Sequence, residues 1–75
     1  MLSEREKNVL NMQLTLIPIL SKAWEYSYSA LADLFERYDV LNYIDTCYEA
    51  FNSTGEQGII NDLREYIVLQ GGSFD

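Results

Sequence analysis

The stretch YEAFNSTGEQGIINDL, residues 48–63, separates two apolar patterns by a short polar segment that contains Ser, Thr and two Gly. Ser53 and Glu56 have the S-x-x-E spacing of a helix capping box, and Thr54 and Gln57 have the alternative T-x-x-Q spacing. No Lys follows the second Gly, which argues against a phosphate-binding loop of the Walker type. The stretch therefore predicts the end of one helix and the capped start of the next.

Gly58 falls inside the second of these helices. Gly in a helix interior costs about 1 kcal/mol relative to Ala. We therefore expect another backbone segment or a side chain to approach Gly58 closely.

Apolar residues at helical spacing predict further helices towards the N-terminus. Leu31, Leu34, Phe35 and Tyr38 fall at positions i, i+3, i+4 and i+7, which form one face of a helix. We expect an all-α fold, a small bundle of three to four helices in one domain, residues 1–75. The predicted helices cover residues 3–26, 28–38, 40–51 and 54–69, and residues 1–3 and 71–75 are expected to be frayed ends.

Residues that favour helix ends lie at several of these boundaries. Ser27 or Ser29 can cap the start of the second predicted helix, and Asp39 can cap the third. Gly71 and Gly72 follow the last helix and are expected to end it.

The first predicted helix contains a conflicting signal. Met12, Leu14 and Leu16 alternate with polar residues, as in a strand, but apolar residues at helical spacing extend over residues 4–26. This length favours a helix. Pro18 removes one helical hydrogen bond and clashes with the carbonyl four residues earlier, so we expect a kink or a break there.

This first helix is also apolar on more than one face. Such a helix is either surrounded by its own domain or buried against another chain, and both alternatives stay open. Leu14, Ile17 and Trp24 are therefore candidate contact residues for a protein partner or for a second copy of the chain.

The formal net charge is −7, and the acidic excess lies in the last two thirds of the chain. Nucleic-acid binding depends on clustered Lys and Arg, so we expect no nucleic-acid partner. An acidic surface suits a basic protein partner through complementary charge. The alternative is that the charge only keeps a small domain in solution.

Compartment signals are few. The longest nearly uninterrupted apolar run, LTLIPIL at residues 14–20, is far shorter than the roughly 20 residues of a membrane span. The N-terminus lacks the charge order of a signal peptide, and the chain has a single Cys. We expect no membrane association and a location in the reducing cytoplasm.

Reactive groups are sparse and offer little chemistry. Cys47 lies on an apolar helical face, and the chain has no His to activate it, so we expect a small core residue. Asp62 with Glu65, and Asp45 with Glu49, could serve as acid–base pairs or cation ligands, but solvated helix faces are favoured. We expect no catalytic residue, no metal site and no cofactor.

The chain has six Tyr, and Tyr48 lies in the middle of an apolar stripe. Tyr combines an apolar ring with a polar tip and therefore suits half-buried positions and interfaces. The tyrosines either line the edge of the core or contribute to a contact surface.

Residues 48–67, YEAFNSTGEQGIINDLREYI, together with the preceding ALADLFERYDVLNYIDTC, resemble a family of short bacterial helical proteins. The family is catalogued as domain of unknown function thirty-seven ninety-one. Two ordered motifs carry the resemblance, and they are matched by Tyr48, Glu49, Thr54 and Gly55 and by Ile59, Ile60, Asp62, Leu63, Glu65, Tyr66 and Ile67.

The resemblance has departures, at Phe51, Asn52 and Ser53, and one functional implication. Asn52 stands where the family often has His, and Asn cannot transfer a proton near neutral pH, which weakens an enzymatic interpretation. Proteins of this family are often encoded beside a larger protein that resembles an ADP-ribosyltransferase. The resemblance therefore implies an antitoxin-like or regulatory partner of such a neighbour.

We predict a non-catalytic protein-interaction module. The alternative is a self-assembling structural protein that dimerises through its first helix, and a third hypothesis is an enzyme or metal site that uses Asp62, Glu65 and Tyr48. The candidate interaction residues are Tyr48, Asn52, Thr54, Gly55, Asp62, Leu14, Ile17 and Trp24.

Overall fold

Five helices and no strand make up residues 1–73, the part of the chain that the computed structural model describes. The all-α prediction is therefore confirmed. The predicted frayed C-terminal end extends to residues 74 and 75, which lie outside the described residues. The helices are α1 (Glu4–Trp24), α2 (Tyr28–Arg37), α3 (Val40–Thr46), α4 (Tyr48–Asn52) and α5 (Glu56–Leu69).

Helix α1 begins with a capping box. The Glu6 backbone N–H donates to Ser3 Oγ at 3.1 Å, and the Ser3 N–H donates to Glu6 Oε1 at 3.2 Å. The helix continues through Pro18, so of the two predicted alternatives the break is wrong, and the kink stays a prediction. The helix ends at Glu25, whose left-handed backbone, with φ of 57°, turns the chain towards α2.

The predicted caps of α2 and α3 differ in outcome. Ser27 caps α2, because its Oγ accepts from the Ala30 N–H at 3.1 Å. Asp39 precedes α3 as predicted, but its side chain makes no capping hydrogen bond. A capping residue typically has an extended backbone, whereas the backbone of Asp39 is left-handed with φ of 54°.

The predicted third helix is divided into α3 and α4 at Cys47, and both predicted capping boxes of α5 are wrong. Helix α4 extends to Asn52, so Ser53 ends that helix rather than beginning the next. Thr54 Oγ1 donates back to the Ala50 carbonyl at 2.8 Å and is not available to α5. The N-cap residue is Gly55, which makes no side-chain capping bond.

The close approach expected at Gly58 is confirmed. A Cβ atom on Gly58 would lie only 2.6 Å from Cγ2 of Thr54. The Thr54 side chain is held in this position by its hydrogen bond to α4. The turn between α4 and α5 therefore selects Gly at a helical position that would otherwise favour Ala.

The predicted stop at the end of α5 is also confirmed. The Gly72 N–H donates to the Ile67 carbonyl at 2.9 Å, and the Gly71 N–H donates to the Val68 carbonyl at 3.0 Å. This pair of bonds is the Schellman motif, and it needs the left-handed backbone that Gly71 adopts with φ of 100°.

All five helices contribute to one apolar core, and Cys47 packs against it half-buried, as expected of a small core residue. The bundle measures 38 × 23 × 22 Å. The buried core side chains are Leu16 and Leu20 of α1, Leu31 and Phe35 of α2, Val40 and Ile44 of α3, Phe51 of α4, and Ile59, Ile60, Leu63 and Ile67 of α5.

Replacing Leu63 by Ala is expected to lower the free energy of unfolding by about 2–5 kcal/mol, because Leu63 is fully buried and Ala leaves a cavity. Urea denaturation followed by circular dichroism measures this loss. Leu69→Ala is the matched control on the same helix, since Leu69 is 76% exposed, and its effect should stay within about 0.5 kcal/mol. Equal losses in the two variants would contradict the position of the core.

Gly58→Ala is expected to stabilise the protein by about 1 kcal/mol only when the Thr54 methyl group is absent. In the Thr54→Ser background the hydroxyl remains and Cγ2 is gone, so the new Cβ has room. In the native background the clash offsets the gain in helix propensity. Urea denaturation of both single variants and the double variant gives the coupling, and additive effects would contradict the contact.

Candidate functional site

Arg5 joins the first turns of α1 to the junction of α3 and α4. Its Nη1 donates to Asp45 Oδ1 and its Nε to Glu49 Oε2, both at 2.8 Å. Its Nη2 also donates to the Asp45 backbone carbonyl at 2.9 Å and to Glu49 Oε1 at 3.1 Å. The two carboxylates that the sequence assigned to a solvated face therefore hold one guanidinium group, although both remain about half exposed or more.

The contacts of Arg5 with Asp45 and Glu49, which we name the clamp, shift the pKa values of Arg5 and Glu49. The hydrogen bonds from Arg5 lower the pKa of Glu49, and the hydrogen bonds to Glu49 and Asp45 raise the pKa of Arg5 further above its usual range. The guanidinium carbon of Arg5 also lies 5.5 Å from the ring centre of Tyr48. Tyr48 is half-buried beneath this clamp, and its ring contributes a cation–π contact.

A tyrosine stack fixes α5 against α3. The rings of Tyr43 and Tyr66 are stacked with centroids 3.9 Å apart. The Tyr43 hydroxyl donates to the Asp62 carboxylate, and the Tyr66 hydroxyl donates to the Tyr38 carbonyl at 2.7 Å. Burial, followed by the bond to Asp62, raises the pKa of Tyr43 above its usual value. The Asp62 carboxylate thus stabilises the stacked position of the Tyr43 ring.

A groove separates α1 from the region where α4 ends and α5 begins. It has a volume of about 350 Å³. Tyr48, Asn52 and Glu56 lie on one side of it, and α1 forms the other. The side chains of α1 that line it are the polar Asn8, Asn11 and Thr15 and the apolar Met12, Leu16 and Ile19.

A second surface lies on another side of α1, and we name it the leucine face: Leu10, Leu14, Ile17 and Leu41. Leu10 is 45% exposed, Leu14 58% and Leu41 44%, while Ile17 is half-buried. Gln13 Nε2 donates to the Leu41 carbonyl at 2.9 Å and so ties α3 to α1 beside these leucines. The structure leaves this apolar surface open to solvent.

Two shallow hollows lie along the leucine face. The larger, of about 390 Å³, is formed between α1 and α2 by Ile17, Ala32, Phe35, Glu36, Asp39 and Leu41. The smaller, of about 200 Å³, is formed towards the N-terminus by Leu2, Glu6, Val9, Leu10, Gln13 and Asp45.

The predicted interaction residues are distributed over separate parts of the molecule. Leu14 and Ile17 belong to the leucine face, and Tyr48 and Asn52 line the groove. Trp24 is half-buried against the core. The remaining predicted residues are Thr54 and Gly55, at the turn between α4 and α5, and Asp62, whose carboxylate accepts from Tyr43 of the tyrosine stack.

Sequence reasoning did not identify Arg5 or Leu41 as surface residues of interest. Leu41 carried a usable signal, because it is apolar but lies outside the stripe formed by Val40 and Ile44. No local sequence pattern marked Arg5, since its partners are 40 and 44 residues away along the chain.

Within residues 1–73, none of the helices combines the length and the hydrophobicity of a membrane span. The same part of the chain contains no group of three or more Cys, Asp or Glu side chains placed to hold a metal ion.

Comparison with known proteins gives one match. The model of a family described as protein of unknown function (DUF3791) matches residues 11–68. No curated protein and no solved structure matches the chain. The match begins after Arg5 and includes most of α1, all of α2, α3 and α4, and α5 except its last residue.

Glu49→Gln is expected to destabilise the protein at neutral pH and to lose this effect in acid. The fold lowers the pKa of Glu49, so its stabilising contribution is present above its unfolded pKa, about 4.3, and disappears as the pH falls through the folded pKa. Urea denaturation of both proteins between neutral pH and pH about 3 measures the difference. Glu65→Gln on α5 is the matched control at an exposed position away from the Arg5 contacts, and a Glu49→Gln difference that persists in acid would contradict those contacts.

Proposed function

The chain belongs to the DUF3791 family of proteins of unknown function, and we propose that it is a non-catalytic protein-interaction module of the reducing cytoplasm that docks a partner on its leucine face.

The exposed leucines are the observation that supports this proposal. Burial of a Leu side chain is worth about 1.5–3 kcal/mol relative to exposure. Because Leu10, Leu14 and Leu41 are exposed in the free protein, they provide only part of this stabilisation. Exposed apolar residues that lie side by side on one surface are typical of protein–protein contact sites.

The roles of the reactive groups favour binding over catalysis. Asp62 accepts from Tyr43, and Cys47 packs against the core. Asp45 and Glu49 both hold Arg5. Each of these side chains already has a partner or a packing position that stabilises the fold.

The charge distribution favours a protein partner over a nucleic acid. The chain has 5 basic and 12 acidic residues. Arg5 pairs with Asp45 and Glu49, and Arg37 pairs with Asp33 at 3.3 Å. Phosphate contacts need clustered cations, and ion pairs occupy these two arginines.

We further propose that the partner is a neighbouring protein that resembles an ADP-ribosyltransferase, and that the chain regulates or neutralises it in the manner of an antitoxin. This part of the proposal rests on the resemblance stated for the sequence. A small protein can inhibit a larger enzyme by covering its site, and an exposed apolar face with an acidic surround suits that role.

The leucine face also supports a second candidate function, a homodimer formed through α1. Two copies could bury Leu10 and Leu14 against each other. Light scattering at tens of micromolar separates the candidates, since a monomer at that concentration excludes the dimer.

Co-expression with the adjacent gene product is expected to give a complex that copurifies and to reduce the neighbour's activity. Leu10→Gln combined with Leu14→Gln should abolish both effects, because it removes apolar contact without adding charge. Leu69→Gln is the matched control, since Leu69 is exposed but lies on α5, and it should leave both effects unchanged. Separate purification with unchanged activity of the neighbour would overturn the proposal.

A further inference from the structure

We infer that the leucine face receives an amphipathic helix with Lys or Arg residues along its flank. This inference rests on the proposed function, because it names the chemistry of the segment that the interaction module binds.

The shape of the face suits a helix. Leu10, Leu14 and Ile17 follow one another at i, i+4 and i+7, which spans about 10 Å along α1 at 1.5 Å per residue. A helix laid beside this row presents its own side chains at the same intervals. The hollows near the two ends of the row, of about 200 and 390 Å³, offer room for an apolar side chain each.

The charged side chains that line the two hollows are acidic, whereas Lys7 lies one turn before Leu10 on the same side of α1. Glu36 and Asp39 line the larger hollow, and Glu6 and Asp45 line the smaller one. No Lys or Arg lines either hollow. A partner helix with cations beside its apolar stripe would therefore meet opposite charge chiefly at the larger hollow, because Arg5 already binds Asp45 at the smaller one.

The carboxylates at the two hollows differ in whether they already have a hydrogen-bond or ion-pair partner. Asp45 is bound by Arg5, and Glu6 accepts from the Ser3 N–H in the capping box. Glu36 and Asp39 have no ion pair and no side-chain hydrogen bond within the described residues. A Lys or Arg of the partner is therefore expected to form its most favourable ion pair at the larger hollow.

A second copy of the chain fits this face less well. A dimer through the face would bring the same carboxylates of both copies to one interface, and each copy has a net charge of −7. Like charges placed opposite each other at an interface reduce affinity. The acidic surround thus favours a basic partner over self-association.

The test uses a labelled synthetic peptide with two copies of the repeat LKKLLKL, which forms a basic amphipathic helix. The control peptide carries Glu in place of every Lys. Fluorescence anisotropy at physiological salt is expected to show binding of the Lys peptide and at least about tenfold weaker binding of the Glu peptide.

Three variants separate docking at this face from general attraction to an acidic protein. Leu10→Gln with Leu14→Gln, and Glu36→Gln with Asp39→Asn, should each weaken binding by about tenfold. Glu25→Gln with Glu65→Gln removes the same amount of charge at other exposed positions and should change affinity little.

The inference is overturned if the Lys peptide does not bind, if the Glu peptide binds equally well, or if the control pair weakens binding as much as the pair at the larger hollow. Its failure is distinguishable from that of the proposed function. If the neighbouring protein copurifies through Leu10 and Leu14 while the Glu36 and Asp39 variants have no effect, the interaction module stands and the basic helix does not.

Discussion

The five helices are held together by one shared apolar core. Helices α2, α3 and α4 have ten, seven and five residues, and helices of this length are not stable alone in water. They persist because each places one or two side chains in the same buried cluster as Leu20 and Leu63. A helical bundle of this size buries a limited fraction of its surface, so it has little stability to lose.

The same constraint explains why part of α1 is uncovered. The core takes the side of α1 that carries Leu16 and Leu20. The helices that follow are too short and too few to cover its whole circumference. Leu10 and Leu14 therefore lie in solvent on one side, and Asn8, Asn11 and Thr15 line the groove on another. The candidate surfaces arise from a long helix packed in a small bundle.

Charged residues serve two separate purposes in this arrangement. Arg5, Asp45 and Glu49 connect the first turns of α1 to the junction of α3 and α4. Exposed ion pairs contribute modestly on average, but a guanidinium held by two carboxylates has better geometry than an isolated pair. Glu36 and Asp39 have no such partner and give the leucine face its acidic surround.

The helical class can be predicted from the sequence alone, because apolar residues recur at helical spacing over almost the whole chain. The sequence also predicts the stop at Gly71 and Gly72 and the close contact at Gly58, since both follow from the conformational properties of Gly. The two ordered motifs placed the chain in its family. Local patterns of this kind are readable because they depend only on neighbours in the chain.

How those helices begin, and which of their surfaces are exposed, depends on contacts between residues that are distant in the chain. The capping boxes predicted at Ser53 and Thr54 do not form, because α4 extends one residue further and uses the Thr54 hydroxyl. The roles of Asp45 and Glu49 depend on Arg5, which lies 40 positions before Asp45 and 44 positions before Glu49. Spacing within a helix identifies an apolar face, but only the packing of the other helices decides whether that face is covered.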